Sequence, residues 1–147
     1  MLLQRPASTT GAGAKQRVTG IGGVFFKARD ADGLRAWYRR HLGLDIQDWG
    51  GLALPPAPTQ PPGSPTPLAS HITWCVFPAD SDYFGGTRGA PFMINYRVAD
   101  LETLLALLKR EGCAVDDKTE VSEYGKFGWV TDPEGNRIEL WQPPSVG

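Results

Sequence analysis

Apolar and polar positions alternate, or recur at helical spacing, along most of residues 18–142, and each change of period marks an element. Val18 to Ala28 (VTGIGGVFFKA) reads as a strand, with a bend or the close approach of another backbone expected at Gly20, Gly22 and Gly23. Leu34, Trp37, Tyr38, His41 and Leu42 recur at three and four, the spacing of one helix face. Asp30 or Asp32 caps the start of that helix and Gly43 follows its end. His41 falls near the helix C-terminus, where a positive charge is favoured, and reads as structural. Leu44 to Trp49 alternates and predicts a strand; Gly50-Gly51 turns the chain and Leu52 to Leu54 returns. Two further strands are expected over His71–Phe77 and Pro91–Val98, separated by a loop over Pro78–Gly89 that carries Tyr83 and Phe84. Asp100 caps a second helix, LETLLALLKREG, with Leu101, Leu104, Leu105 and Leu108 on one face. Val115 to Asp117 begins a strand, and Glu120 to Gly125 reads as a connection. Phe127–Thr131 and Arg137–Trp141 then form a hairpin around the turn Asp132-Pro133-Glu134-Gly135-Asn136.

This order repeats. Asp30 is answered by Asp100 seventy residues on, Leu34 by Leu104, and Gly43 approximately by Gly112. Each half predicts a βαβββ module, with its sheet covered on one face by its helix, so the fold class is α+β. Residues 1–17 read as a loose tail and 18–142 as a single domain, with modules at about 18–80 and 91–142. Seven of the thirteen prolines lie between Pro55 and Pro67, which predicts an exposed, extended loop rather than a strand or helix.

Composition narrows the function classes. The chain has 147 residues, 41% apolar and 21% charged, as expected of one globular domain. A net charge of −1 gives no electrostatic reason to bind nucleic acid or an anionic membrane. No apolar run approaches the roughly 18 residues of a membrane span, and the start carries no secretory apolar segment. Cys75 and Cys113 form no CxxC pattern and are expected as reduced thiols in a cytoplasmic protein.

The first-half segment AWYRRHLGL and the second-half segment FGWVTDPEGNRIELW resemble the two modules of the vicinal oxygen chelate superfamily, and DPEGNRIEL is the most specific part. That superfamily includes glyoxalase I, bleomycin-resistance proteins and extradiol dioxygenases. The resemblance implies eight mixed strands forming a cup, helices outside it, and usually a homodimer. The family's metal site takes one ligand from the first and one from the last strand of each module. Here those positions fall on Gly23, Thr73, Met93 and Glu139, and only Glu139 is a ligand for a divalent ion. No metal or other cofactor is therefore expected. The alternative is Zn, Ni or Fe held by Glu139 and His71 with Asp82 or Glu123.

The family's ligand positions set which face is the cup, and because side chains alternate across a strand the resemblance implies that Gly23, Phe25, Lys27, His71, Thr73, Cys75, Met93, Asn95, Arg97, Arg137, Glu139 and Trp141 face it. The five-residue turn pairs Thr131 with Arg137 and Trp129 with Glu139. Phe25, His71, Thr73, Met93, Asn95, Arg97, Trp129 and Trp141 are the candidate ligand-binding residues, and Glu139 is the candidate catalytic one. Poorly solvated beside Trp129, Glu139 would be a general base; beside Arg97 or Arg137 it would be an ion-pair partner. Cys75 and His71 share a face two pleats apart, too far for a nucleophile and its base. The expected partner is a small organic molecule. Three functions remain: a lyase or isomerase acting on a small carbonyl compound, a metal-independent sequestering protein of the resistance type, or an accessory domain that contacts protein through the Pro-rich loop and Tyr83-Phe84.

Overall fold

The computed structural model describes residues 17–55, 70–85 and 90–145. Most of the Pro-rich segment and of the N-terminal tail lie outside the described residues. Strand β1 (Val18–Ala28) leads into helix α1 (Ala31–Leu42), followed by β2 (Gly51–Leu54) and β3 (Ile72–Pro78). The second half runs β4 (Phe92–Val98), α2 (Leu101–Arg110), β5 (Ala114–Val115), β6 (Glu120–Ser122), β7 (Gly125–Thr131) and β8 (Arg137–Gln142).

All eight strands join one open mixed sheet in the order β2-β3-β1-β4-β8-β7-β5, with β6 also on the outer edge of β7. The antiparallel β1–β4 pair joins the halves, and each of these strands has a parallel partner on its other side, β3 and β8. The strands divide three and five, not four and four. Leu44 to Trp49, expected as a strand, is not one: Arg39 donates to the Ile46 carbonyl and Gly50 N–H to that of Gln47. Local and side-chain bonds thus satisfy this backbone and no ladder forms. Glu120–Ser122, expected as connection, is strand β6, because it pairs with Gly125–Phe127 across a tight turn.

Both helix starts follow from the sequence. Asp30 accepts from Gly33 N–H and Asp100 from Thr103 N–H, satisfying donors that an α-helix leaves free at its first turn. Gly43 and Gly112 follow the helices in the left-handed conformation. Against the sheet, α2 packs Leu101, Leu104 and Leu105 on Val98, Val130 and Leu140. A second buried cluster occupies the opposite face: Phe25, Cys75, Phe84, Met93 and Trp129. None of the helices among the described residues is long and apolar enough to cross a membrane.

Candidate functional site

Strand register builds the site. Thr73 pairs with Gly23, Gly23 with Asn95, Asn95 with Glu139, and Glu139 with Trp129, so one row crosses five strands on the cup face. The Trp129–Glu139 and Thr131–Arg137 pairings are those the five-residue turn dictates. Phe25 opposes both Cys75 and Met93 in the neighbouring row.

Glu139 lies in this row with 1% of its surface exposed. Three side chains donate to its carboxylate. Asn95 Nδ2 reaches Oε1 at 2.6 Å, Trp129 Nε1 reaches Oε2 at 2.9 Å, and the Tyr83 hydroxyl also donates to Oε2. All three donors are neutral. Burial pushes the Glu139 carboxyl above its ordinary pKa, while these bonds and the charge of Arg137 pull the other way. Tyr83 is driven strongly upward by burial and by its carboxylate neighbour, so its proton stays on the phenol.

Arg137 acts on Glu139 through its charge but makes its own bonds elsewhere. Its Nη2 pairs with Asp116 at 2.6 Å and its Nη1 donates to the Tyr83 carbonyl at 2.8 Å. The guanidinium also lies over the Trp129 ring, 5.0 Å from its centroid. Arg97 packs along Gly20 of β1. The three donors to Glu139 include neither arginine.

Asn95 is 3% exposed, and its Oδ1 has no partner among the described residues. It points at Gly22, the extra residue where the β1–β4 register shifts between Ile21 and Gly23. A Cβ at position 22 would collide with that oxygen and with the Trp141 ring. Glycine is therefore what lets the Asn95 amide fit against the bulge.

A cavity of about 300 Å³ opens against Glu139. Its walls include Phe25, Phe77, Phe127 and Trp49, with Arg35, Thr73, Cys75 and Tyr83 supplying polar groups. Burial pushes the Cys75 thiol up to about 11, so it is neutral near pH 7. Of the expected ligand-binding residues, Phe25 and Thr73 line this space, and Asn95 and Trp129 hold Glu139. Met93 is buried in the aromatic cluster. His71 precedes β3 and is outside both the cavity wall and the Glu139 bonds. Trp141 stacks on the cavity-wall residue Phe127 and donates to the Tyr124 carbonyl.

Three residues at the site were not legible as site residues. Tyr83 and Phe84 are a contact surface only under the accessory-domain alternative, and the loop 79–85 turns both inward. Phe84 is buried, and Tyr83 stacks on Phe77 and bonds Glu139. Arg35 was missed, although it falls between Leu34 and Tyr38 on the sheet-facing stripe of α1.

The described residues around Glu139 do not fit a divalent metal. An ion beside Glu139 needs lone pairs, whereas Trp129, Asn95 and Tyr83 aim N–H and O–H groups at the carboxylate. Among the described residues, no three His, Cys, Asp or Glu side chains converge to hold an ion. Asp82 and Glu123 are exposed in connections between strands.

A glyoxalase-like domain model matches residues 23–141. The chain belongs to this glyoxalase-like family. The resemblance carried by AWYRRHLGL and DPEGNRIEL is thus correct, as are the mixed eight-stranded sheet and its two helices. Solved structures with the same fold include the methylmalonyl-CoA epimerase of Mycobacterium tuberculosis, at 22% identity and TM-score 0.57, covering 90% of this chain and 93% of that one. A variant of the Streptomyces coelicolor methylmalonyl-CoA epimerase in complex with 2-nitronate-propionyl-CoA has 16% identity and TM-score 0.62, covering 88% and 97%. A glyoxalase/bleomycin resistance/dioxygenase superfamily member from Vibrio splendidus 12B01 has 14% identity and TM-score 0.51, covering 83% and 97%. At these identities the likeness is one of fold. No curated protein matches the glyoxalase-like chain by sequence.

Proposed function

We propose that this glyoxalase-like domain binds a small organic molecule in its cup without a metal, and that Glu139 is the polar contact at the inner end. One observation carries this reading: the aromatic-walled cavity of about 300 Å³ ends on a carboxyl held by three neutral donors. Aromatic walls with a few fixed polar groups are the usual make-up of a small-molecule site, and this volume is at the lower end of the usual range. A group of acyl or small-arene size fits such a space. Arg35 in the wall opposes a cationic ligand, which argues against sequestration of a cationic drug.

The test is a titration of tryptophan fluorescence with acetophenone and benzamide in EDTA. Saturable binding that EDTA leaves unchanged and Glu139→Gln weakens is expected. Binding that appears only after a divalent metal is added would overturn the reading.

A second reading is favoured by the raised pKa of Glu139. A desolvated carboxyl can take a proton from carbon next to a carbonyl, the step expected of a lyase or isomerase. Tyr83, which lines the cavity and bonds Glu139, would be the neutral donor beside the developing charge, with Asn95 behind it on the other carboxylate oxygen. Exchange of the acetophenone methyl protons with D2O, followed by NMR and lost in Glu139→Gln, would support it; no exchange above the buffer rate would remove it. A homodimer and a cytoplasmic setting complete the proposal, resting on the family resemblance and the thiol chemistry. Sedimentation velocity at micromolar concentration tests the first, with a monomer as the contrary result.

A further inference from the structure

We infer that the ligand of the cup is a small organic carboxylate, and that Arg35 recognises its acidic group at the end of the cavity away from Glu139. This inference rests on the small-molecule reading above and adds the charge of the ligand.

Arg35 reaches the cavity from α1. Its Nη2 donates to the Val76 carbonyl on β3, which fixes the guanidinium in the cavity wall that Cys75 and Thr73 also line. Its Nη1 bonds Asp32 at 3.1 Å, one turn earlier on the helix. These two bonds use two of the five N–H groups of the guanidinium, and Nε is buried without a partner among the described residues. The charges are unevenly placed. The Arg35 side chain is 18% exposed, whereas that of Asp32 is 98% exposed. A carboxylate so fully in water offsets little of the cost of desolvating a cation. Cys75, the nearest titratable group in the wall, remains a neutral thiol. Among the described residues lining the cavity, the one acidic group is Glu139, whose oxygens already take three donors. An anionic ligand would supply the partner that the wall lacks.

The guanidinium fork favours a planar, two-oxygen acceptor, and the aromatic side chains of Phe25, Phe77 and Phe127 favour a flat apolar body. A compact arene or alkyl carboxylate meets both requirements within about 300 Å³.

Matched acid and amide pairs test this directly. Benzoate against benzamide, and phenylacetate against phenylacetamide, are titrated into the full chain in EDTA at neutral pH and followed by tryptophan fluorescence. The wild type is expected to bind at least one acid about tenfold or more tightly than its amide, as a charge-assisted bond about twice as strong as a neutral one would give. Arg35→Gln should bring that ratio close to one, and Arg35→Lys should retain part of it. Circular dichroism shows whether Arg35→Gln folds. If it does not, Arg35→Lys carries the test, with a several-fold loss of preference expected. Equal binding of acid and amide, or a preference that survives loss of the guanidinium, overturns the carboxylate inference and leaves the cavity reading standing. Absence of saturable binding by any of the four overturns both.

Discussion

The two helices occupy equivalent places in the repeat, yet they do different work. Helix α2 buries Leu101, Leu104 and Leu105 against the sheet. Helix α1 buries no residue fully, leaves Trp37 50% and Leu42 60% exposed, and spends Arg35 and Arg39 on backbone carbonyls of β3 and of the segment after the helix. The second half is therefore the packed body. The first half is held by hydrogen bonds and aromatic contacts, among them Tyr38 on Trp74 at 4.9 Å. A loosely covered half supplies most of the cavity wall, and the packed half supplies the buried carboxyl. Duplication of a module thus allows one copy to carry stability and the other to line the proposed ligand cavity.

The largest effect should separate the two helices. Leu104→Ala removes a buried side chain and is expected to cost about 2–5 kcal/mol, whereas Leu34→Ala in α1 should cost about 1 kcal/mol. Urea unfolding measures both. Equal costs would show that α1 packs as firmly as α2.

The seam between the halves comes next. Gly22→Ala places a methyl group on Asn95 Oδ1 and Trp141, and is expected to destabilise by about 1–3 kcal/mol. A Cβ at Gly135, on the hairpin turn, would meet no atom within 4 Å, but its backbone angle φ is +86°, so Gly135→Ala is strained by conformation alone. Comparing the two variants by thermal melting divides collision from backbone strain. If Gly22→Ala costs nothing, the Asn95–Glu139 geometry is wrong.

A smaller effect concerns pH. The folded pKa of Glu139 is raised, so between its unfolded value of about 4.3 and that higher folded value the native state holds the more protons. Its contribution therefore favours folding at low pH and is lost as pH rises through the folded pKa. In Glu139→Gln this component of the pH dependence should vanish. An amide there can still accept from Tyr83 and Trp129, and a turned Asn95 side chain can offer it Oδ1. The difference between variant and wild-type melting temperatures should grow in favour of the variant from pH 4 to pH 8. The opposite trend would mean that folding stabilises the Glu139 carboxylate.

Smallest is the contrast between the thiols. Exposed Cys113 should react readily with iodoacetamide at pH 8, while buried Cys75, near 11, should react only after unfolding. Mass spectrometry of native and denatured samples reads this, and rapid native labelling of Cys75 would contradict the buried cavity wall.

Local signals account for what was legible in the sequence. The Asp caps fixed both helix starts, and the five-residue turn fixed the pairing of Trp129 with Glu139. Period-two alternation then placed Asn95 and Glu139 on one face and Val98 and Leu140 on the other. Tertiary contributions were not legible. Alternation over Leu44–Trp49 looked like a strand, but Arg39 took the Ile46 carbonyl from across the helix end. Tyr83 sits 56 residues from Glu139 in a loop without period, so only folding brings them together. Arg35 lies on the sheet-facing stripe of α1, but its acceptor, the Val76 carbonyl, is 41 residues away, so only folding shows what it binds.

The central claim is that Glu139 serves a ligand cavity through hydrogen bonds and not through a metal. Calorimetric titration of Zn2+, Ni2+ and Fe2+ into chelator-treated wild type and Glu139→Gln tests it most directly. The account predicts no stoichiometric binding that depends on Glu139. One equivalent of metal bound by the wild type and lost in Glu139→Gln would contradict it.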